Sequence, residues 1–207
     1  MKKEVFDKFL VENNDLINNI SKEACDIHAS VNQMYDDKPY SVHIIGVAEY
    51  AMKYGYYICN DEKEIIPLIF GAYFHDTIED ARLTYNDVKS IAAKYMDNEQ
   101  AGIAANIVYA CTNEKGKTRA ERASEKYYRE IRETPFAPLV KMCDRFANIK
   151  YSASHNSRMI GVYKKEWEHF LHSVVSEDNV KDYRCYMPAA IIKSIENILN
   201  DKDVEIG

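Results

Sequence analysis

The stretch Tyr73-Phe74-His75-Asp76-Thr77-Ile78-Glu79-Asp80 sets an imidazole and three carboxylates at the end of an apolar run, Ile65–Phe74. Burying such a cluster costs free energy unless a partner such as a metal ion compensates it. If the helix of that run continues through Asp80, His75 and Glu79 lie four apart on one face, and Asp76 and Asp80 four apart on the adjoining one. These groups can bind a cation or move a proton; the plainer alternative is a solvated helix end. A second polar insertion comes later, where Lys141, Asp144, Arg145 and Asn148 form one stripe among Leu139, Val140, Met142, Cys143, Phe146, Ala147 and Ile149. Internal ion pairs, Asp144 with Lys141 or Arg145, would satisfy that stripe, and so would a bound group. His43 lies in the first turn of a helix beginning near Ser41, off the apolar stripe, and taken alone reads as a surface histidine.

Helices have to position these side chains, because no period-2 segment of strand length stands out. Val5, Phe6, Phe9 and Leu10 suggest a first short helix, and Leu16, Ile20, Ala24, Ile27, Val31 and Met34 continue at helical spacing. His28, beside that stripe, reads as a partly exposed structural histidine. Pro39 ends this helix, Ser41 can cap the next, and Gly55 closes it. The helix from about Glu64 is apolar all round, as a central helix of a bundle is. Thr84 with Asp87 resembles a capping box, Asp97 with Gln100 starts a further helix, and Thr118 with Glu121 offers another box. The loop at 112–119 carries Lys115, Lys117 and Arg119 around Gly116. It is either simply solvated or a place where a helix N-terminus and flexible cations meet phosphate. Pro135 and Pro138 sit near the start of the helix with the polar stripe, which gives way to a polar loop at 151–158 containing His155. Tyr163, Trp167, Phe170 and Val174 mark a penultimate helix, and a last one follows Pro188.

Composition bounds what such a chain can be. With 207 residues, 46% hydrophobic and 29% charged, it is long enough to bury a core and is not of disordered composition. It has no transmembrane-length apolar segment, and Met1-Lys2-Lys3-Glu4 does not begin a signal peptide, so a cytoplasmic location is expected. The five cysteines are scattered and without zinc-finger or redox spacing, which argues against a cysteine metal site. A net charge of −6 argues against a nucleic-acid duplex as the main partner, leaving a small anion on a local basic patch compatible. Without repeats, low-complexity stretches or an evident boundary, residues 1–207 are expected to form one all-α domain.

Taken together, His43, the His75-Asp76 pair and Asp144 resemble the metal-binding signature of the HD superfamily of metal-dependent phosphohydrolases. Lys38-Pro39-Tyr40-Ser41-Val42-His43, Phe74-His75-Asp76-Thr77-Ile78-Glu79-Asp80 and Val140-Lys141-Met142-Cys143-Asp144-Arg145-Phe146-Ala147-Asn148 are similar to blocks of the RelA/SpoT-type guanosine tetraphosphate hydrolases. The likeness spans roughly residues 24–151, and with no room for a synthetase domain it implies a stand-alone small alarmone hydrolase. The chain departs from that pattern before Pro39, where Met34, Tyr35, Asp36 and Asp37 stand in place of basic residues, and again at Ile44 and Ala81.

The resemblance implies an HD helical bundle completed by C-terminal helices at 161–200, and one divalent ion, manganese first, on His43, His75, Asp76 and Asp144. Two imidazoles and two carboxylates also suit zinc, iron or cobalt. Glu79 and Asp80 would orient or deprotonate the attacking water and protonate the leaving oxygen. By similarity Asn148 would hold a ribose and Tyr151 would lie near the base, while Lys38, Lys117 and Arg119 could meet phosphates. The implied reaction removes the 3′-pyrophosphate of guanosine tetraphosphate or pentaphosphate, the alarmones of the stringent response. Two other readings are an HD enzyme acting on another nucleotide or dinucleotide phosphate, and a non-catalytic nucleotide-binding regulator. The oligomeric state is not indicated.

Overall fold

The apolar run folds as the helix around which the others pack. In the computed structural model, residues 1–113, 117–175 and 182–200 are described. The chain opens with α1 (Lys3–Glu12) and α2 (Asn14–Ser30), then a hairpin of β1 (Met34–Tyr35) and β2 (Lys38–Pro39), then α3 (Ser41–Tyr54). The central α4 (Ile65–Phe74) and the short α5 (Thr77–Asp80) precede α6 (Tyr85–Ala92) and α7 (Asn98–Cys111). There follow α8 (Arg119–Arg122), α9 (Glu125–Glu133), α10 (Ala137–Ser154), α11 (Met159–Val174) and α12 (Ala189–Leu199). The architecture is all-α, as expected.

Every residue of α4 is buried, and the helix packs against α2, α3, α7 and α10. Gly71 makes the α7 contact close: a Cβ there would stand 2.6 Å from Ile107 Cγ2. α10 lies along α3, with Phe146 stacked on Tyr50 at 4.0 Å between centroids, so the helices that carry His43 and Asp144 are held face to face. The capping boxes at Thr84 and Asp97 form as expected. Thr118 Oγ1 accepts from the Glu121 N–H at 3.2 Å, while the Glu121 carboxylate accepts from Lys117 N rather than from Thr118. Among the described residues no helix is long and apolar enough to cross a membrane.

Several local expectations are corrected. α2 stops at Ser30, four residues short of Met34, because Asn32 adopts a left-handed φ of 53° that ends the helix. Asp36, also at φ 53°, then closes the two-residue loop that pairs Tyr35 with Lys38. Ser41 does not cap α3: the cap position is Tyr40, with no side-chain hydrogen bond. α10 runs on through Ser154, so the first half of the expected loop at 151–158 is helical. His28 is buried, at 1% exposure, because it faces the core beneath Tyr40, whose ring lies 4.7 Å away.

Candidate metal centre

The helix expected to run from Glu64 through Asp80 is interrupted. α4 ends at Phe74, and α5 restarts at Thr77, whose Oγ1 donates to the Phe74 carbonyl at 2.7 Å. In a continuous helix successive side chains diverge by ~100°. At this break they converge, and His75 Nε2 lies 2.9 Å from Asp76 Oδ2. α3 brings His43 Nε2 to 3.7 Å from Asp76 Oδ2 and 3.4 Å from Asp144 Oδ1 on α10. His75 Nε2 is 3.9 Å from Asp144 Oδ1. The ligand atoms of His43, His75 and Asp144 all lie within 4.8 Å of one another, and all three residues are buried.

This donor set fits a cation. His75 Nδ1 is 2.9 Å from the Ala72 carbonyl, which can only accept, so Nδ1 carries a proton and Nε2 is the ring atom turned to the carboxylates. That buried Nε2 has no well-aligned hydrogen bond among the described residues, its 2.9 Å approach to Asp76 Oδ2 being an ion-pair contact. Mixed nitrogen and oxygen donors suit borderline divalent ions, so His43, His75 and Asp144 could hold a metal.

The electrostatics express the same demand for positive charge. Burial opposes protonation of His75, but Asp76 and then Asp144 outweigh it and raise its pKa to about 9. Burial likewise opposes ionisation of Asp144, yet Lys141, with Nζ 2.8 Å from Oδ2, leads a set of interactions that hold it well below the usual range. Asp76 is lowered because His75 overcomes its burial. Asp80 goes the other way: burial, then the charges of Asp76 and Glu79, push it up to about 6.

Around the cluster, Tyr40 Oη donates to Asp76 Oδ2 at 2.5 Å, and Asn148 Nδ2 donates to Asp144 Oδ1 at 2.6 Å. A cavity of about 620 Å³ opens beside it, lined in part by Glu79, Asp80, Arg122, Lys141, Arg145 and Asn148. Glu79 Oε2 accepts from Asn113 Nδ2 at 2.9 Å, and its Oε1 is 4.0 Å from Arg122. Arg145 is held by Glu166 at 3.0 Å, with the Phe170 ring 4.1 Å from its guanidinium.

The fold therefore brings together His43, His75, Asp76 and Asp144, with Glu79, Asp80 and Asn148 on the same cavity wall. Lys38 and Tyr151 lie outside that lining: Lys38 Nζ sits 3.2 Å from His155 Nε2 and 5.5 Å from the Tyr151 ring centroid. Lys117 is exposed and also outside it. Arg119 begins α8, but its side chain, like residues 114–116, lies outside the described residues. Sequence reasoning assigned no role to Tyr40, although its place three residues before His43, ahead of the first turn of α3, was a usable signal. Arg122 gave none.

Helices thus gather a histidine, a His-Asp pair and a distant aspartate at one buried point of an all-α architecture, the arrangement that the resemblance read from the three motif blocks implies. No protein-family model matches the chain. It is 30% identical over 124 residues to the Danio rerio protein named guanosine-3′,5′-bis(diphosphate) 3′-pyrophosphohydrolase MESH1, a match covering 58% of this chain and 60% of that protein. The chain thus spans less than two thirds of that relative's length.

Proposed function

We propose that this protein is a metal-dependent phosphohydrolase that removes the 3′-pyrophosphate of guanosine tetraphosphate or pentaphosphate. The observation that carries the reading is the buried convergence of His43, His75 and Asp144, joined by Asp76, beside a cavity walled by Glu79 and Asp80. Similarity to a protein named for that reaction supports the choice of substrate. We take Asp76 as the fourth ligand and Mn²⁺ as the ion, which when bound lowers the pKa of a water and polarises a phosphoryl oxygen. Asp80, its pKa raised to about 6, is suited to exchange a proton near neutral pH, and Glu79 is held by Asn113 at the same wall. Lys141 neutralises Asp144 and Tyr40 fixes Asp76, so the ligands keep their orientation while substrate arrives. Asn148 and Arg122, which line the cavity, would meet the substrate's polar groups. Residues 24–151 form the HD-like part of one domain, which the helices at 161–200 complete.

A second reading, hydrolysis of another nucleotide phosphate, is favoured by one observation. The hairpin presents Asp36 and Asp37, both exposed, where a polyphosphate would be met by cations. The two are separated by assaying Mn²⁺-loaded protein on guanosine tetraphosphate beside nucleoside mono-, di- and triphosphates and phosphorylated dinucleotides. Pyrophosphate from the tetraphosphate supports the first reading, and phosphate from another nucleotide alone supports the second.

A further inference from the structure

Tyr35 stands on β1, in the segment where the chain departs from the basic pattern of the hydrolases it resembles, and it touches His43 directly and Asp144 through Asn148. Its Oη lies 2.8 Å from Asn148 Oδ1. Asn148 Nδ2 in turn lies 2.6 Å from Asp144 Oδ1 and 3.0 Å from the Asp144 backbone carbonyl. The direction of this chain is fixed by chemistry: the ionised Asp144 and a carbonyl only accept, so the amide nitrogen must face them and the amide oxygen must face Tyr35. Tyr35 is therefore the donor, and burial, which pushes its pKa up, keeps it one. Its ring also lies against the His43 imidazole, with centroids 5.0 Å apart and planes at 26°, and meets the edge of Tyr151 at 4.5 Å.

We propose that Tyr35 is a positioning residue of the metal centre, orienting the Asp144 carboxylate through Asn148 and setting the plane of His43. Because both ends of the Asn148 amide are engaged, a substrate hydroxyl that uses Asn148 shares it with Tyr35, so the hairpin and the ligand geometry move together. The inference rests on the metal-centre reading above.

The test is calorimetric titration of metal-free protein with Mn²⁺ alone, for wild type, Tyr35→Phe, Asn148→Ala and the double variant, with kcat and KM measured alongside. Tyr35→Phe keeps the ring and its stacking and removes only the hydroxyl. Loss of a partner that orients a metal ligand weakens affinity by about tenfold or more. We expect that loss in Tyr35→Phe, with kcat reduced more than KM is raised, and a double variant no weaker than Asn148→Ala alone. A role in packing alone predicts wild-type affinity and kcat in Tyr35→Phe, which would overturn the proposal; so would additive losses in the double variant. Failure of the wild type to bind Mn²⁺ would overturn the metal centre itself, whereas normal wild-type binding with an unaffected Tyr35→Phe removes this inference and leaves that reading standing.

Discussion

His75 and Asp76 are adjacent in the chain, yet their side chains meet, Nε2 to Oδ2 at 2.9 Å, because α4 ends one residue before them and α5 begins one residue after. An unbroken helix would have sent them to different faces. The break turns a dipeptide into half of a four-residue cluster, and the packing of α3 and α10 against α4 supplies the other half.

If that cluster is a metal centre, Asp144→Ala removes an anionic ligand and leaves Lys141 without its carboxylate partner. Metal content after purification should fall to a small fraction of wild type, and hydrolysis should disappear with it. Elemental analysis finding one equivalent of metal in the variant would count against the assignment.

Metal binding should release a proton. His75, raised to about 9 in the metal-free cluster, carries an Nε2 proton at neutral pH that competes with an incoming ion. Apparent Mn²⁺ affinity should therefore climb with pH by up to about tenfold per unit between roughly 6.5 and 9, then level off. Without metal the sign reverses: the stabilisation from the charged imidazole is present below 6.5 and is lost as pH rises through about 9. Calorimetry in buffers of different ionisation enthalpy reads the proton count directly, and a pH-independent affinity would exclude this coupling.

Glu79→Gln and Asp80→Asn keep size and hydrogen-bonding capacity while removing the charge. Mn²⁺ should still bind, and kcat should fall by about two orders of magnitude or more, the usual scale for lost acid-base catalysis. The Asp80 variant should also lose whatever pH dependence of kcat the raised Asp80 carboxyl produces. Near-normal turnover in both would mean that neither acid handles the proton.

His28 makes a prediction about stability. Burial, with His75 and His43 reinforcing it against Asp76, lowers its pKa to about 4, and both ring nitrogens lack hydrogen-bond partners among the described residues. Unfolding exposes an imidazole of ordinary pKa 6.5, so the unfolded chain takes up a proton that the folded one resists, and stability drops as pH falls from 6.5 towards 4. His28→Leu should flatten this slope in denaturation measured across that range. Parallel slopes for wild type and variant would show that His28 does not contribute.

What was legible in the sequence follows from how local its cause is. The all-round hydrophobicity of Ile65–Phe74 announced a central helix, and the Thr84 and Asp97 boxes announced helix starts, because periodicity and capping act within a few residues. The four clustered residues were legible through their motif blocks. The hairpin was not: strands of two residues have no period, and its course depends on left-handed Asn32 and Asp36. The break after Phe74 was also hidden, since Thr77, Ile78 and Glu79 suit a continuing helix. His28 and Tyr35 take their surroundings from Tyr40, His43 and Asn148, contacts that only the tertiary fold creates.

Anomalous diffraction at the manganese edge, from crystals of the protein grown with Mn²⁺, tests the centre most directly. One strong peak should lie within bonding distance of His43 Nε2, His75 Nε2 and carboxylate oxygens of Asp76 and Asp144, on the wall shared with Glu79 and Asp80. A cluster without a peak in crystals that hold Mn²⁺ elsewhere, or a peak bound by other residues, would contradict the account.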